Sequence, residues 1–238
     1  MEKTVAIHQP TYVPYMGFFK KMIDSDIFIF YDDAPYSKTA NQDWNTIKCS
    51  DGRPHRIKVP IDMGNGDRLV DIRTKDYLGW KEKHLKTVQM NYAKAPYFKE
   101  VFAWYEDALL VPYESIAAMN VSLLTDIASQ IFDDWFPEFA LSSAILPVED
   151  GTGTTERLVD LVKAVGGTHY LSGAGGKHYL REELFLDEGM MVSFSTFDAV
   201  EYPQLWNSRG GFLCNMSVLD YLMNCGFTNP EGIAWKRG

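Results

Sequence analysis

Three features are scarce in this chain, and each scarcity excludes a class of protein. Only Cys49, Cys214 and Cys225 occur among 238 residues, and their wide spacing fits neither a disulfide framework nor a zinc knuckle. No apolar run approaches the roughly 20 residues of a membrane-spanning helix. Basic residues number 23 against 32 acidic ones, and the net charge of -9 disfavours nucleic-acid binding through phosphate neutralisation. We therefore expect free thiols, no membrane span and no nucleic-acid partner.

The composition is otherwise that of a folded protein. Hydrophobic residues make up 46% of the chain, which is enough for a single domain over residues 1–238 to bury a core. The first residues pass directly into a β-branched strand and lack the basic and apolar regions of a signal peptide. We expect a cytoplasmic protein.

Strand and helix patterns alternate along the sequence, which predicts an α/β fold. The expected architecture is a mostly parallel open sheet with flanking helices and a mid-chain helical block at about 80–135. Strands are predicted at Thr4–Ile7, Ile27–Tyr31, Arg56–Ile61, Leu69–Ile72, Thr168–Leu171 and Met190–Phe197. Helices are predicted from about Phe18 and at Trp80–Asn91, Phe98–Leu110, Ile116–Phe132, Thr154–Val165 and Leu219–Asn224.

Chemically capable side chains follow the first two predicted strands. His8 comes directly after one strand, and Asp32 and Asp33 come after the next. Because ligands bind at the carboxyl ends of parallel strands, we expect these three residues to share a crevice. The imidazole can act as a general base. The aspartates can orient that histidine or bind a sugar hydroxyl. No metal site is predicted, because a third carboxylate is not near in the sequence.

A glycine-rich loop follows the predicted strand at Thr168–Leu171. It contains Ser172, Gly173, Lys177 and His178. Exposed backbone N–H groups beside a lysine and a histidine suit a phosphate group. We therefore predict that this loop binds the phosphate of a nucleotide or of phosphopantetheine.

Aromatic residues make up 14% of the chain, and many of them lie in polar segments. Tyr12, Trp44 and Tyr92 are the ones we predict to stack on a base or a sugar. His84 falls on the same face of its predicted helix as Trp80, where it is either a second candidate base or a residue of the core.

The motif His8-Gln9-Pro10 near the N-terminus and the motif Tyr170-Leu171-Ser172-Gly173 in the last third together resemble the WbqC-like family of bacterial proteins. That family is often encoded among genes for surface polysaccharide. Further matching residues span nearly the whole chain: Pro14, Gly17-Phe18-Phe19, Lys21, Asp32-Asp33, Ser37-Lys38, Asn45, Lys48, Trp80, Lys83-His84, Tyr92, Ala95-Pro96-Tyr97-Phe98, Tyr179-Leu180, Tyr202-Pro203-Gln204, Ser217 and Asp220.

The resemblance implies a transferase that moves an acyl or aminoacyl group, such as glycyl, from a carrier-protein thioester to the amine of a nucleotide-linked amino sugar. His8 or His84 would take a proton from the amine, with Asp33 orienting the base. Asn45 or a backbone N–H would bind the oxyanion. No bound cofactor is expected, and the donor would sit on a phosphopantetheine carrier. The expected substrate-binding residues are Gln9, Tyr12, Asp32, Trp44, Asn45, Lys48, Tyr92, Lys94, Ser172, Gly173, Lys177 and His178, with Lys48, Lys94 and Lys177 as candidates for the diphosphate.

Two other functions fit the same residues. The strand, histidine loop and helix resemble those of adenylyl- and cytidylyltransferases, although the second histidine of that motif would fall near Gly17-Phe18. The third reading is a sugar-nucleotide-binding protein without catalytic activity.

Overall fold

The chain adopts the predicted α/β fold, in which a parallel sheet is flanked by helices. The computed structural model describes residues 2–64, 67–132, 136–146 and 154–228. The strands are β1 (Thr4–His8), β2 (Ile27–Phe30), β3 (Trp44–Lys48), β4 (Pro54–Lys58), β5 (Ile61–Asp62), β6 (Arg73–Thr74), β7 (Glu138–Leu141), β8 (His169–Ser172) and β9 (Met191–Phe194). The helices are α1 (Met16–Ile23), α2 (Trp80–Tyr92), α3 (Phe98–Leu110), α4 (Ile116–Ile131), α5 (Ser142–Ile145), α6 (Thr154–Ala164), α7 (Glu183–Asp187), α8 (Asn207–Gly210) and α9 (Val218–Cys225), with 3-10 turns at Asp76–Leu78 and Ala174–His178.

Within the described ranges, five strands form one parallel sheet in the order β7-β2-β1-β8-β9. The chain builds outward from β1 through β2 to β7 on one side. It then returns to the other side of β1 with β8 and β9. The strand order therefore reverses between β1 and β8, and in open α/β sheets ligands bind at such a reversal, beyond the carboxyl ends of the strands.

Both faces of the central strands are covered, which explains why these strands are apolar throughout. On one face, Ala6, Phe28 and Leu171 pack in a core shared with α1, α3, α4 and α9. On the other face, Val5 and Ile7 pack against α6 and α7. The alternation follows from the two-residue period of a strand.

The predicted helical block is confirmed as α2, α3 and α4, and its last three positions, 133–135, lie outside the described residues. The strand predicted at Leu69–Ile72 is wrong. This segment is a turn, in which Leu69 and Ile72 are buried as core anchors. Strands β3, β6 and β7 were not predicted from the sequence. No helix of the described part is long and apolar enough to cross a membrane.

The entry into β8 depends on a close approach at Gly167. A Cβ added there would lie 2.5 Å from Val5 Cγ2 and 2.7 Å from Val162 Cγ1. Because both valines are buried, we expect Gly167→Ala to lower the free energy of unfolding by about 1–3 kcal/mol, measured by urea denaturation. Gly175→Ala is the control, since no atom lies within 4 Å of its Cβ position. An equal loss in the two variants would contradict this packing.

Candidate active site

A cleft of about 380 Å³ opens beyond the carboxyl ends of β1 and β8, where the strand order reverses. His8 at the end of β1 and Gly173–Gly175 after β8 both line it. Lys21 of α1 and residues 39–41 form further parts of its wall. The structure therefore brings His8 and the glycine-rich loop together in the wall of one cleft.

The His8 ring is held in one tautomer by the backbone of the next residue. Its Nδ1 lies 2.9 Å from the carbonyl oxygen of Gln9. A carbonyl only accepts hydrogen bonds, so Nδ1 carries the proton and Nε2 is left with a lone pair. Burial, reinforced by the charge of Lys21, lowers the pKa of His8 to about 3. His8 is therefore neutral at physiological pH, and its Nε2 is a hydrogen-bond acceptor.

Lys21 is a buried amine in the wall of the cleft. Its side chain is only 4% exposed, and its Nζ donates a hydrogen bond to the carbonyl oxygen of Ile7, 2.7 Å away. Burial lowers the pKa of Lys21 to about 7. A Cβ added at Gly173 would lie 4.0 Å from this Nζ, so the amine lies beside the glycine loop. Lys21 therefore changes its charge near neutral pH, as groups that transfer protons do.

Thr11 adds an unpaired hydroxyl to the same cleft. Its Oγ1 is buried and has no hydrogen-bond partner within the part of the chain that the structure describes. Buried polar groups nearly always have a partner, so an orphaned one in a cleft wall is a candidate ligand contact. Asn45 also lines the cleft, with its Nδ2 donating to the carbonyl oxygen of Tyr12 at 3.0 Å.

Asp32 and Asp33 do not line the cleft, contrary to the expected crevice shared with His8. Both are buried against the residues that follow β7. Asp32 accepts hydrogen bonds from the Ser142 and Ser143 side chains at 2.9 and 2.6 Å, and Asp33 forms an ion pair with Arg157 at 3.0 Å. The orientation of His8 comes from Gln9 rather than from Asp33.

His84 and Tyr12 belong to a buried hydrogen-bond chain outside the cleft. The Nε2 of His84 lies 3.0 Å from the carbonyl oxygen of Lys58 and must donate to it, so Nδ1 accepts from the Tyr12 hydroxyl at 3.1 Å. The Tyr12 hydroxyl also contacts that of Tyr105 at 2.5 Å. Because both ring nitrogens are engaged, His84 connects α2 to β4 and is poorly placed to act as a base.

Lys48 and Tyr92 lie in a second buried network, at the C-terminal part of the fold. The Lys48 Nζ donates to Gln204 Oε1 at 2.9 Å and to Asn207 Oδ1 at 2.7 Å. The Tyr92 hydroxyl donates to Asp220 Oδ1 at 2.5 Å. These contacts join β3 and α2 to the segment around α8 and α9, away from the cleft.

The other predicted substrate-binding residues lie in different parts of the fold. Gln9 accepts a hydrogen bond from Gln42 at 2.8 Å, and Ser172 is buried. Lys94 and Lys177 lie over the rings of Trp206 and Phe194. Three further placements complete the set: Gly173 lines the cleft, His178 is exposed, and Trp44 lines a separate groove.

Sequence reasoning had noted Lys21 only as a matching residue and had passed over Thr11. The signal for Lys21 was a lysine in a largely apolar helix, Met16–Ile23. Such a position places the amine next to the sheet. Thr11 carried no comparable signal, because its orphaned hydroxyl is a property of the folded chain.

Removal of Asp33 tests its structural role. Asp33→Ala removes the carboxylate that forms the buried ion pair with Arg157, and we expect a loss of about 3–5 kcal/mol in the free energy of unfolding. Glu188→Ala breaks the exposed pair with Lys163 and is expected to cost less than about 1 kcal/mol. Urea denaturation measures both. A stable Asp33→Ala protein would show that this carboxylate is free for another role.

The lowered pKa of Lys21 predicts a pH-dependent stability. Unfolded lysine holds its proton up to about 10.5, whereas folded Lys21 releases it near 7. Between these values the unfolded state binds more protons, so stability rises with pH. We expect the free energy of unfolding, wild type minus Lys21→Met, to rise by about 3 kcal/mol from pH 7 to 10. A constant difference would mean that the amine titrates normally.

Comparisons with known proteins agree with the resemblance seen in the sequence. A family model described as the WbqC-like protein family matches residues 9–231. An uncharacterized protein of Mycobacterium tuberculosis, Rv1507c, is 30% identical over 244 residues, which cover 99% of each chain. No solved structure gives a significant match. The chain belongs to the WbqC-like protein family.

Proposed function

We propose that the cleft is the active site of a transferase in surface-polysaccharide biosynthesis. It would move an acyl or aminoacyl group, such as glycyl, from a carrier-protein thioester to the amine of a nucleotide-linked amino sugar. One observation carries the proposal: a neutral imidazole and an amine with a pKa near 7 lie together where the strand order of the sheet reverses. Family membership supports it, since such proteins are associated with polysaccharide genes.

The reaction needs two proton movements. The neutral amine of the sugar attacks the thioester carbon, a C–N bond forms, and the carbonyl becomes an oxyanion. Collapse of this intermediate breaks the C–S bond and releases a thiolate. The nitrogen must lose one proton, and the thiolate must gain one. A single group that accepts a proton and then returns it therefore serves both steps.

Lys21 is the better carrier of that proton. With a pKa near 7, it is partly neutral at physiological pH and can accept a proton, then donate it to the leaving thiolate. His8, with a pKa near 3, holds a proton too weakly for this role. Its Nε2 lone pair would instead accept a hydrogen bond from the attacking amine and so orient the nitrogen. We therefore propose Lys21 as the base, in place of His8.

Two polar groups in the cleft wall suit the thioester oxygen. Thr11 has a buried hydroxyl with no partner in the described ranges, and it can donate to an oxyanion. Asn45 has two N–H donors on Nδ2. One of them is directed to Tyr12, and we propose the other for the same oxygen.

A transfer assay tests the proposal. The purified protein is incubated with dTDP- or UDP-linked amino sugars and a glycyl-loaded carrier protein, and the acylated sugar is detected by mass spectrometry. We expect Lys21→Met to lower kcat by about 100-fold or more, because the proton carrier is lost. His8→Ala is expected to lower kcat as well, and the wild-type rate should rise with pH around 7.

Lys20→Gln is the matched control. Lys20 precedes Lys21 on α1 but forms an ion pair with Asp24 and does not line the cleft. We expect its rate to stay within about twofold of the wild type. Equal rates in wild type and Lys21→Met would exclude the proton-carrier role. Sugar-nucleotide binding without turnover would favour the non-catalytic alternative, and pyrophosphate release from a nucleoside triphosphate would favour the nucleotidyltransferase alternative.

A further inference from the structure

A second concavity of about 790 Å³ lies beside the cleft, and we name it the basic groove. It is bounded by the loop after β2, the hairpin of β3 and β4, and α2. Only one layer of chain separates the two sites. Lys38 lines the groove and Thr39 lines the cleft, and the same holds for Trp44 and Asn45. Consecutive strand residues point to opposite faces, which explains the division at Trp44 and Asn45.

The basic groove concentrates positive charge in an acidic protein. Its lining contains one acidic residue, the buried Asp43, and five lysine or arginine residues: Lys38, Arg56, Lys58, Lys75 and Lys83. His84 also lines the groove, and burial lowers its pKa to about 4, so it adds no charge near pH 7. The chain as a whole has more acidic than basic residues, 32 against 23. Such a local reversal of sign favours an anionic ligand.

Three of these cations are not neutralised by neighbouring acids. Lys58 is paired with Asp43 at 3.4 Å and Lys75 with Asp62 at 3.7 Å. Among the described residues, no carboxylate forms an ion pair with Lys38, Arg56 or Lys83. Their charges are therefore available to a ligand in the groove.

Arg56 is held in a geometry that suits a phosphate group. Its guanidinium carbon lies 3.7 Å from the centre of the Trp44 ring, so the planar group is stacked on the indole. Stacking uses the face of the guanidinium and leaves the N–H donors at its edge for hydrogen bonding. A guanidinium fixed in this way can bind two phosphate oxygens at once.

The rest of the lining is aromatic and aliphatic. It includes Tyr36, Ile61 and Trp80, together with the partly exposed Met63 and Leu78. A simple inorganic anion would gain nothing from this surface. A ligand with both phosphates and a planar base would bury the base against it while its phosphates meet the cations.

We propose that the basic groove is a second ligand site, which binds a nucleoside diphosphate through Arg56, Lys38 and Lys83 and contacts the base through its aromatic wall. This site is distinct from the cleft of His8 and Lys21. The inference concerns binding alone and stands independently of the transfer reaction proposed above.

The proposal is tested by isothermal titration calorimetry. The ligands are dTDP and UDP, with pyrophosphate and thymidine as partial ligands. We expect the double variant Arg56→Gln and Lys83→Gln to weaken dTDP or UDP binding by about tenfold or more, since charged hydrogen bonds are lost. Arg56→Lys keeps the charge but not the planar fork, and should fall between wild type and double variant. Tyr36→Leu removes a ring of the aromatic wall and keeps the contact of Arg56 with Trp44, so it should weaken dTDP binding more than pyrophosphate binding.

A control separates the groove from general effects of charge. Lys99→Gln removes an exposed positive charge on α3. It should bind dTDP within about twofold of the wild type. Raised salt should weaken wild-type binding more than that of the double variant. Melting temperatures equal to that of the wild type would show that the variants are folded.

Three outcomes would overturn the proposal. One is the absence of dTDP and UDP binding at millimolar concentration. Another is a loss of binding in Lys21→Met with no loss in the groove variants, which would place the ligand in the cleft. The third is pyrophosphate binding as tight as dTDP binding, with dTDP binding unchanged in Tyr36→Leu, which would indicate a plain anion site.

Discussion

The candidate site depends on the double pairing of β1 as the central strand of the sheet. One edge of this strand pairs with β2 and the other with β8, both in parallel. Parallel pairing places the carboxyl ends of all three strands at one edge. The loops after β1 and β8 diverge there, because the chain turns to opposite sides of the sheet. The cleft is the space that this divergence leaves.

The buried lysine and arginine side chains differ in the number of hydrogen-bond partners that they have. Lys48 has three acceptors for its Nζ, and Arg157 donates from its Nη2 to Asp33 and to the carbonyl oxygen of Leu146. The Lys21 Nζ donates to the carbonyl oxygen of Ile7, at the wall of an open cleft. A buried ammonium with little compensation loses its proton readily, which explains its lowered pKa. Burial also lowers the pKa of Lys48, so it is the position of Lys21 in the cleft wall that sets Lys21 apart from residues that only support the fold.

Local patterns in the sequence were sufficient for much of the architecture. Apolar segments of four or five residues, followed by polar ones, indicated β1, β2 and β8, and amphipathic periodicity indicated the helical block. The strand β7 was missed because its four residues, Glu138–Leu141, carry little pattern and are sheet-forming mainly through pairing with β2. At Leu69–Ile72 the error was the opposite one, because a strand was predicted where the structure has a turn. Leu69 and Ile72 are buried in that turn and are as apolar as strand residues.

The sequence alone determined the α/β class, the family, and the position of His8 at the end of the first strand. Each of these depends on residues close together in the chain or on motifs that can be read directly. Only the tertiary structure decided which polar residues meet. In the folded chain Asp32 accepts a hydrogen bond from Ser142, and Asp33 forms an ion pair with Arg157. Both ring nitrogens of His84 form hydrogen bonds, and Lys21 lies beside Gly173. The physical reason is that partners for buried polar groups come from distant segments, and sequence spacing does not contain those distances.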